Sequence, residues 1–434
     1  MSAVEHELWT PAAAVLAGND AGGWTRAAPR LYPHQWSWDS AFVAVGWARL
    51  SVPRAVSELR RLFDAQWATG MVPHIVFDPD AAPEAYFPDP ARWDTGRSPA
   101  APPVPTSGLC QPPVHALALG RIAAAGGAAV DGALRELYPK VLAWHRYLAT
   151  ARDPDGTGLV TIHHPWESGT DNSPRFDAAL ARITVGDLPP YTRRDTGHVA
   201  DAGQRPGDAD YDRYLWLVEL AKRARYDDAE LAARHPFRLA DVLFSAILVA
   251  ANDALLGIAE RIGAPAADRT LIAGWRDRGR AAVDACYDPE LRLCLDRDLL
   301  TGEPVRCRTV AGFAGLVAGG AHVDALTAEL CSERFCAAPG LRWPVPPSTS
   351  PADPAFRPRT YWRGPSWPVV TWLLWRSLVA VGRYEPAAAL RDAALAQVRT
   401  AGFAEYVEPY SGEPLGSPDQ SWTAAVTLDW LAAP

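Results

Sequence analysis

Several signals are missing from this sequence of 434 residues, and each absence removes a class of function. There is no run of basic residues. The 50 acidic and 42 basic side chains give a formal charge of −8, spread along the chain, which argues against a nucleic-acid partner. A clean membrane span is also absent. The most apolar stretch, Val242 to Ile262, is broken by Ser245, Asn252 and Asp253, which are costly in lipid, so it reads as a buried core helix. The N-terminus, MSAVEHELWTPAAAVLAGND, carries acids where a secretory signal needs Lys or Arg ahead of an apolar run. The expected compartment is the cytoplasm.

The six cysteines form no CxxC pair and have no histidine at zinc-finger spacing. In a large cytosolic chain they are expected to be free and buried, and the five-residue gap between Cys331 and Cys336 does not outweigh that redox prior. His34, His74, His115, His163 and His164 include no pair at i, i+4 with an acidic partner, so neither a metal site nor any other cofactor is expected. DPDGTG (Asp153 to Gly158) echoes a calcium loop but lacks its final glutamate, and reads as a tight turn. There is no repeat of fixed period, and no low-complexity tract beyond Ala123 to Ala129. Strand signals are few. Gly158 to Ile162 and Arg292 to Leu295 are candidates for small hairpins at loop tips, without βαβ alternation.

What remains is helix. Leu134, Leu137, Val141, Leu142, His145 and Leu148 recur at helical spacing, Val242 to Ile262 is apolar nearly all round, and further helices are expected at Ser40 to Leu50, Val369 to Val381 and Ala387 to Thr400. Between them run long connections rich in Pro, Trp and acids: 76–113, 162–206, 339–368 and 402–421. Such loops in a compact domain are usually functional or disordered, and their aromatic content favours function. The chain has 18 Trp and 40 Pro; Trp offers a flat face to sugar C–H bonds, and Pro stiffens connections. A chain this long exceeds the usual domain, yet closed helical barrels hold such lengths in one unit. A single domain is expected, with active-site loops at about 76–113 and 183–206.

Two acidic islands carry the chemistry. WESGTDNSPRFD (Trp166 to Asp177) surrounds Asp171 with small and aromatic residues, and FAEYVEPYSGEPLG (Phe403 to Gly416) gives Glu405 a similar escort. Two carboxyls from distant loops suit glycoside hydrolysis, which needs an acid for the departing oxygen and a second carboxylate as nucleophile or base. Each has a plainer reading. Asp171 could cap a helix start at DNSP, and Glu408 and Glu413 compete with Glu405, a choice the residues alone leave open. Free Asp titrates near ~3.9, so an acid at Asp171 would need burial under Trp166 and Phe176, or the charge of Glu167 or Glu405, to keep its proton. A sugar isomerase would use histidine as its proton shuttle, but the histidines are scattered.

Taken together, LYPHQWSWDSAF (Leu31 to Phe42), GLCQPPVHALAL (Gly108 to Leu119), HPWESGTDNSPRFD (His164 to Asp177), YWRGPSWPV (Tyr361 to Val369) and FAEYVEPYSGEPLGSPDQSWTAAV (Phe403 to Val426) resemble the bacterial glucosylglycerate and mannosylglycerate hydrolases of glycoside hydrolase family 63. The resemblance spans nearly the whole chain, in order. It implies an all-α (α/α)6 toroid and an inverting mechanism with Asp171 as general acid and Glu405 as general base. The implied substrate is a small glycosylglycerate. It further implies a sugar site lined by Tyr32, Trp36, Trp38, Asp39, Gln111, Trp166, Gly169, Trp367 and Gln420. QRPGDADYDRYLWL (Gln204 to Leu217) resembles the loop that clamps the glycerate carboxylate, pointing to Arg205 and Tyr211; an α-glucosidase for neutral oligosaccharides would need no such clamp. Two positions depart from the pattern: Thr170 stands where Met is expected and Phe176 where Trp is expected. Both bear on fine specificity. The first motif at Leu31 leaves no room for the N-terminal β-domain of the larger α-glucosidases, which favours the short glycosylglycerate branch.

Overall fold

A helix that is apolar on every face must be covered on every face, and six such helices form the centre of the computed structural model. The structure describes residues 3–29, 31–82, 84–197 and 201–433. Among them Ser37–Leu50 packs on His115–Gly126, which packs on Val242–Ile262; that helix meets Ala314–Ala318, then Pro368–Ala380 and Ser421–Leu431, and the last packs back against the first. Every residue of Ser421–Leu431 is buried. Each fully buried Leu, Val or Phe in these helices contributes about 1.5–3 kcal/mol by leaving water.

A second set of helices lies outside the first. Val52–Asp64 packs on Ser37–Leu50, Asp131–Thr150 and Ala266–Ala285 on Val242–Ile262, Val323–Leu330 on Ala314–Ala318, Tyr384–Ala401 on Pro368–Ala380, and Ala3–Gly18 on Ser421–Leu431. These are one-sided. Val52–Asp64 buries Ala55, Val56, Leu59, Leu62 and Phe63 while Arg60 and Asp64 face solvent, the three- and four-residue spacing of a helix lying on a core.

The helices expected from periodicity occur within a few residues of their expected bounds, with one informative difference. The helix expected from Ser40 begins at Ser37, so Trp38 and Asp39 occupy its first turn instead of a loop before it, and Asp39 is not its cap. The strands are all two residues long. Tyr287–Asp288 and Leu293–Cys294 pair as a local hairpin as expected, but Thr161–Ile162 pairs with Leu239–Ala240, which in turn pairs with Arg297–Asp298. No local signal encodes partners so distant. Asp153 closes its turn by accepting from the Thr157 and Gly158 amides at 2.7 Å each. All six cysteines are free, and Cys331 is exposed. Val242–Ile262, apolar enough to cross a membrane by length, is mostly covered by protein.

The long connections gather where the central helices begin. Gln35–Trp36 pairs with Ile75–Val76, and Tyr406–Val407 with Pro414–Leu415. Two of the long loops touch: Phe87 stacks on Tyr191 at 5.6 Å, and Tyr211 donates to the Phe87 carbonyl at 3.3 Å. Within the expected active-site loops, residues 83 and 198–200 lie outside the described residues.

Candidate active site

The loop carrying Asp171 is fixed from both sides. His164 accepts the Trp166 amide at 3.0 Å and starts a short 3-10 turn that ends at Gly169. Gly169 has φ +71°, and a Cβ there would lie 2.6 Å from the Trp38 ring, so only glycine suits this contact. Glu167 is fully buried and accepts from Arg152 at 2.6 and 3.0 Å and from the His163 amide at 2.7 Å. It is therefore a structural anchor and not the charge that tunes Asp171. On the other side Arg175, equally buried, donates to Thr170 at 2.9 Å, Asp241 at 2.9 Å and Asp296 at 2.6 Å. Asp171 caps nothing: the turn Pro174–Phe176 starts at Ser173 with no side-chain cap. Phe176 lies apart from the cavity, edge-on to Phe237.

The three glutamates of the second acidic loop have different surroundings. Glu405 is 1% exposed and accepts from the Ser417 amide at 2.9 Å and the Tyr32 hydroxyl at 2.8 Å, with Arg205 at 3.5 Å. Gly416, at φ +71°, allows this: a Cβ would come 2.4 Å from the Glu405 Oε2. Glu408 instead folds back on the Tyr410 amide at 3.0 Å and the Ser411 hydroxyl at 2.5 Å, and Glu413 pairs with Arg359 near the surface.

Asp171 and Glu405 face one cavity. Tyr32, Trp36, Trp38, Asp39, Gln111, Trp166, Gly169 and Gln420 also border it. Gln111 accepts the Trp38 amide at 3.2 Å, tying two of the loops. Gln420 is buried, yet neither its amide nitrogen nor its oxygen has a protein partner, leaving both free to meet hydroxyl groups. Trp367 does not reach the cavity. It lies behind Trp362, the rings stacked 3.6 Å apart, and supports the wall from behind.

Three carboxyls share this site, and they cannot all ionise cheaply. Burial, with Glu405 nearby, pushes the Asp171 carboxyl up to about 7 against the opposing pull of Arg205 and Tyr361. Burial also raises Glu405, while Arg205, the Ser417 amide and the tyrosine hydroxyls of Tyr32 and Tyr361 favour its charged form. Burial and both other acids raise the Asp39 carboxyl well above its ordinary value, which favours its protonated form, able to donate as well as accept. A carboxyl titrating near neutrality suits a general acid.

Residues 32–423 match the family described as the mannosylglycerate hydrolase MGH1-like glycoside hydrolase domain. The chain belongs to this family. The glucosylglycerate hydrolase of Mycolicibacterium hassiacum is 47% identical over 437 residues, covering 98% of each chain. The mannosylglycerate hydrolase of Thermus thermophilus is 42% identical over 420 residues, 96% of this chain and 98% of the relative. A solved structure of the GH63 mannosylglycerate hydrolase from Thermus thermophilus, in complex with Tris and D-glycerate, superposes with a TM-score of 0.90 at 41% identity, covering 98% of this chain and 99% of that one.

In this MGH1-like glycoside hydrolase the cavity is also lined by residues that the sequence reading did not place in a sugar site: His74, Tyr86, Tyr361, Trp362 and Trp422. Tyr361 and Trp362 stand in the YWRGPSWPV motif, and Trp422 two residues after Gln420, so motif membership could have found them. His74 and Tyr86 carry no local signal. Burial holds His74 neutral, at about 3. Beyond the first cavity the glycoside hydrolase has an adjoining chamber bordered by Asp171, Arg205, Tyr211 and Arg194. Arg205 is buried there, its guanidinium 4.5 Å over the Tyr361 ring and donating to Tyr32 at 3.1 Å. It does not pair with Asp201 or Asp208: Asp201 holds the Gly203 amide, and Asp208 pairs with Arg193.

Proposed function

We propose that this chain hydrolyses the α-glycosidic bond of glucosylglycerate or mannosylglycerate, giving free hexose and D-glycerate. Asp171 gives its proton to the glycerate oxygen as the bond from the anomeric carbon to that oxygen breaks. A water attacks the anomeric carbon from the opposite face and loses its proton to Glu405, so the hexose leaves with inverted configuration. Proton exchange with solvent then resets both carboxyls. One observation carries this reading: a carboxyl titrating at about 7 and a second one backed by Arg205, Ser417 and Tyr32 border the same small cavity. The named activities of the relatives support the same substrate class.

In this reading Trp36, Trp38 and Trp166 support the sugar ring, and Tyr32, Asp39, Gln111, Gly169 and Gln420 meet its hydroxyls. Arg205 and Tyr211 flank the glycerate in the adjoining chamber, where Arg205 meets the carboxylate with its planar fork. The helices form one catalytic domain, an (α/α)6 toroid of six hairpins; the closed packing order of the six central helices, with six outer helices packed on them, supports it. The loops at 76–113 and 183–206 border the pocket. The partner is a small molecule, with no role for nucleic acid or membrane, and the compartment is the cytoplasm.

Purified protein incubated with each glycosylglycerate, followed by proton NMR, tests the proposal. The β-anomer of the hexose should form first, together with glycerate. First formation of the α-anomer would overturn inversion, and no release from either compound would overturn the substrate.

A further inference from the structure

Arg194 is held at the mouth of the adjoining chamber by neighbours that are themselves pinned. Arg193 donates to Asp195 at 2.7 and 3.0 Å, to Asp208 at 2.8 Å and to the Pro206 carbonyl at 2.8 Å, and lies 4.4 Å over the Tyr211 ring. This clamp fixes the backbone on both sides of Arg194. The Arg194 side chain borders the chamber beside Asp171, Arg205 and Tyr211, is exposed, and makes no hydrogen bond or ion pair with any described residue.

The other charges on that chamber are matched. Arg205 faces Glu405 at 3.5 Å, Asp195 is held by Arg193, and Asp171 keeps its proton up to about 7. The surplus is one positive charge, in a chain whose formal charge is −8. A glycerate brings a single negative charge, and Arg205 meets it in the reading above. Glycerate cancels that surplus overall, yet its one carboxylate lies against Arg205, so no anionic group of the ligand contacts Arg194.

We propose that Arg194 determines aglycone specificity, giving the chamber affinity for hydroxy acids that carry a second anionic group, a carboxylate or a phosphate ester, beyond the carboxylate met by Arg205. The inference rests on the adjoining chamber being the aglycone site. An exposed cation acts through a contact that water and salt screen, so its effect is moderate and depends on salt.

Calorimetric titration of glycerate, tartronate and phosphoglycerate into the wild type, Arg194→Ala and Arg194→Lys at low ionic strength tests this. The wild type should bind tartronate and phosphoglycerate, each of which carries a second anionic group, about three- to fivefold more tightly than glycerate, the size of a rim ion pair. Added salt should shrink that margin, Arg194→Ala should abolish it and Arg194→Lys should keep most of it. A margin confined to one of the two identifies the second group as carboxylate or phosphate. Equal affinities in the wild type, or a margin that survives in Arg194→Ala, would overturn the assignment. Hexose release from glycosylglycerate by the same preparation separates the two readings. Release without that margin removes the role of Arg194 alone; a margin without release removes the glycerate substrate and leaves Arg194 as an anion-binding residue.

Discussion

The proton that Asp171 keeps for catalysis has a cost in stability, and Asp171→Asn should reveal it. The native carboxyl titrates at about 7 against an ordinary value of 3.8, because burial beside Glu405 disfavours its charge. Between those values the folded protein binds a proton that the unfolded chain releases. The stabilisation is therefore fully present below about pH 4 and is lost as pH rises toward about 7. A rise of about three units at 1.36 kcal/mol each makes about 4 kcal/mol the ceiling. Asp171 keeps some exposure to the cavities it borders, and screening there brings the expected value to about 2–3 kcal/mol. Asparagine has nearly the same shape and no charge to bury. Urea unfolding at about pH 8 should thus find Asp171→Asn more stable than the wild type by that amount, with the advantage gone at about pH 4. A difference that does not change with pH, or a wild type more stable than the variant at the alkaline end, would refute the reasoning.

Two further outcomes follow from the same electrostatics. Arg205 is the strongest influence holding Glu405 toward its charged form, so Arg205→Gln should move the acid limb of kcat/KM upward by about 1–3 pH units; an aryl glycoside, which lacks the carboxylate, separates this from lost aglycone binding, and an unmoved limb would count against the contact. Glu167→Gln leaves the Arg152 guanidinium, 2% exposed, with a weakened counter-charge, and should lower unfolding free energy by about 3 kcal/mol in urea titration, towards the cost of breaking a buried pair; a loss below about 1 kcal/mol would show that Asp228, 3.1 Å from the same guanidinium, carries the pairing.

The helices were legible because their signal is local. An all-round apolar run such as Val242–Ile262 announces a covered helix, and Asp131–Thr150 announces a one-sided one. The start at Ser37 was not legible, since Trp36 at the cap position makes no side-chain capping bond. The site divides in the same way. Motif membership led to the loops of Asp171 and Glu405, but it could not tell that Trp362 forms the cavity wall and Trp367 the layer behind it, because both tryptophans are buried and stacked. His74 and Tyr86 enter from the connection between Asp64 and His115, outside the motifs on which the resemblance rests.

By itself the sequence determined the helical class, the loops that carry the chemistry and the kinds of side chain they present, because periodicity, volume and functional group belong to each residue or its near neighbours. Only the tertiary structure decided which glutamate borders the cavity with Asp171, why Glu167 anchors the loop, and that Arg194 stands at the chamber without a counter-charge. Those outcomes depend on burial and on charges brought together from distant parts of the chain. Proton affinity follows that surrounding, not the residue type.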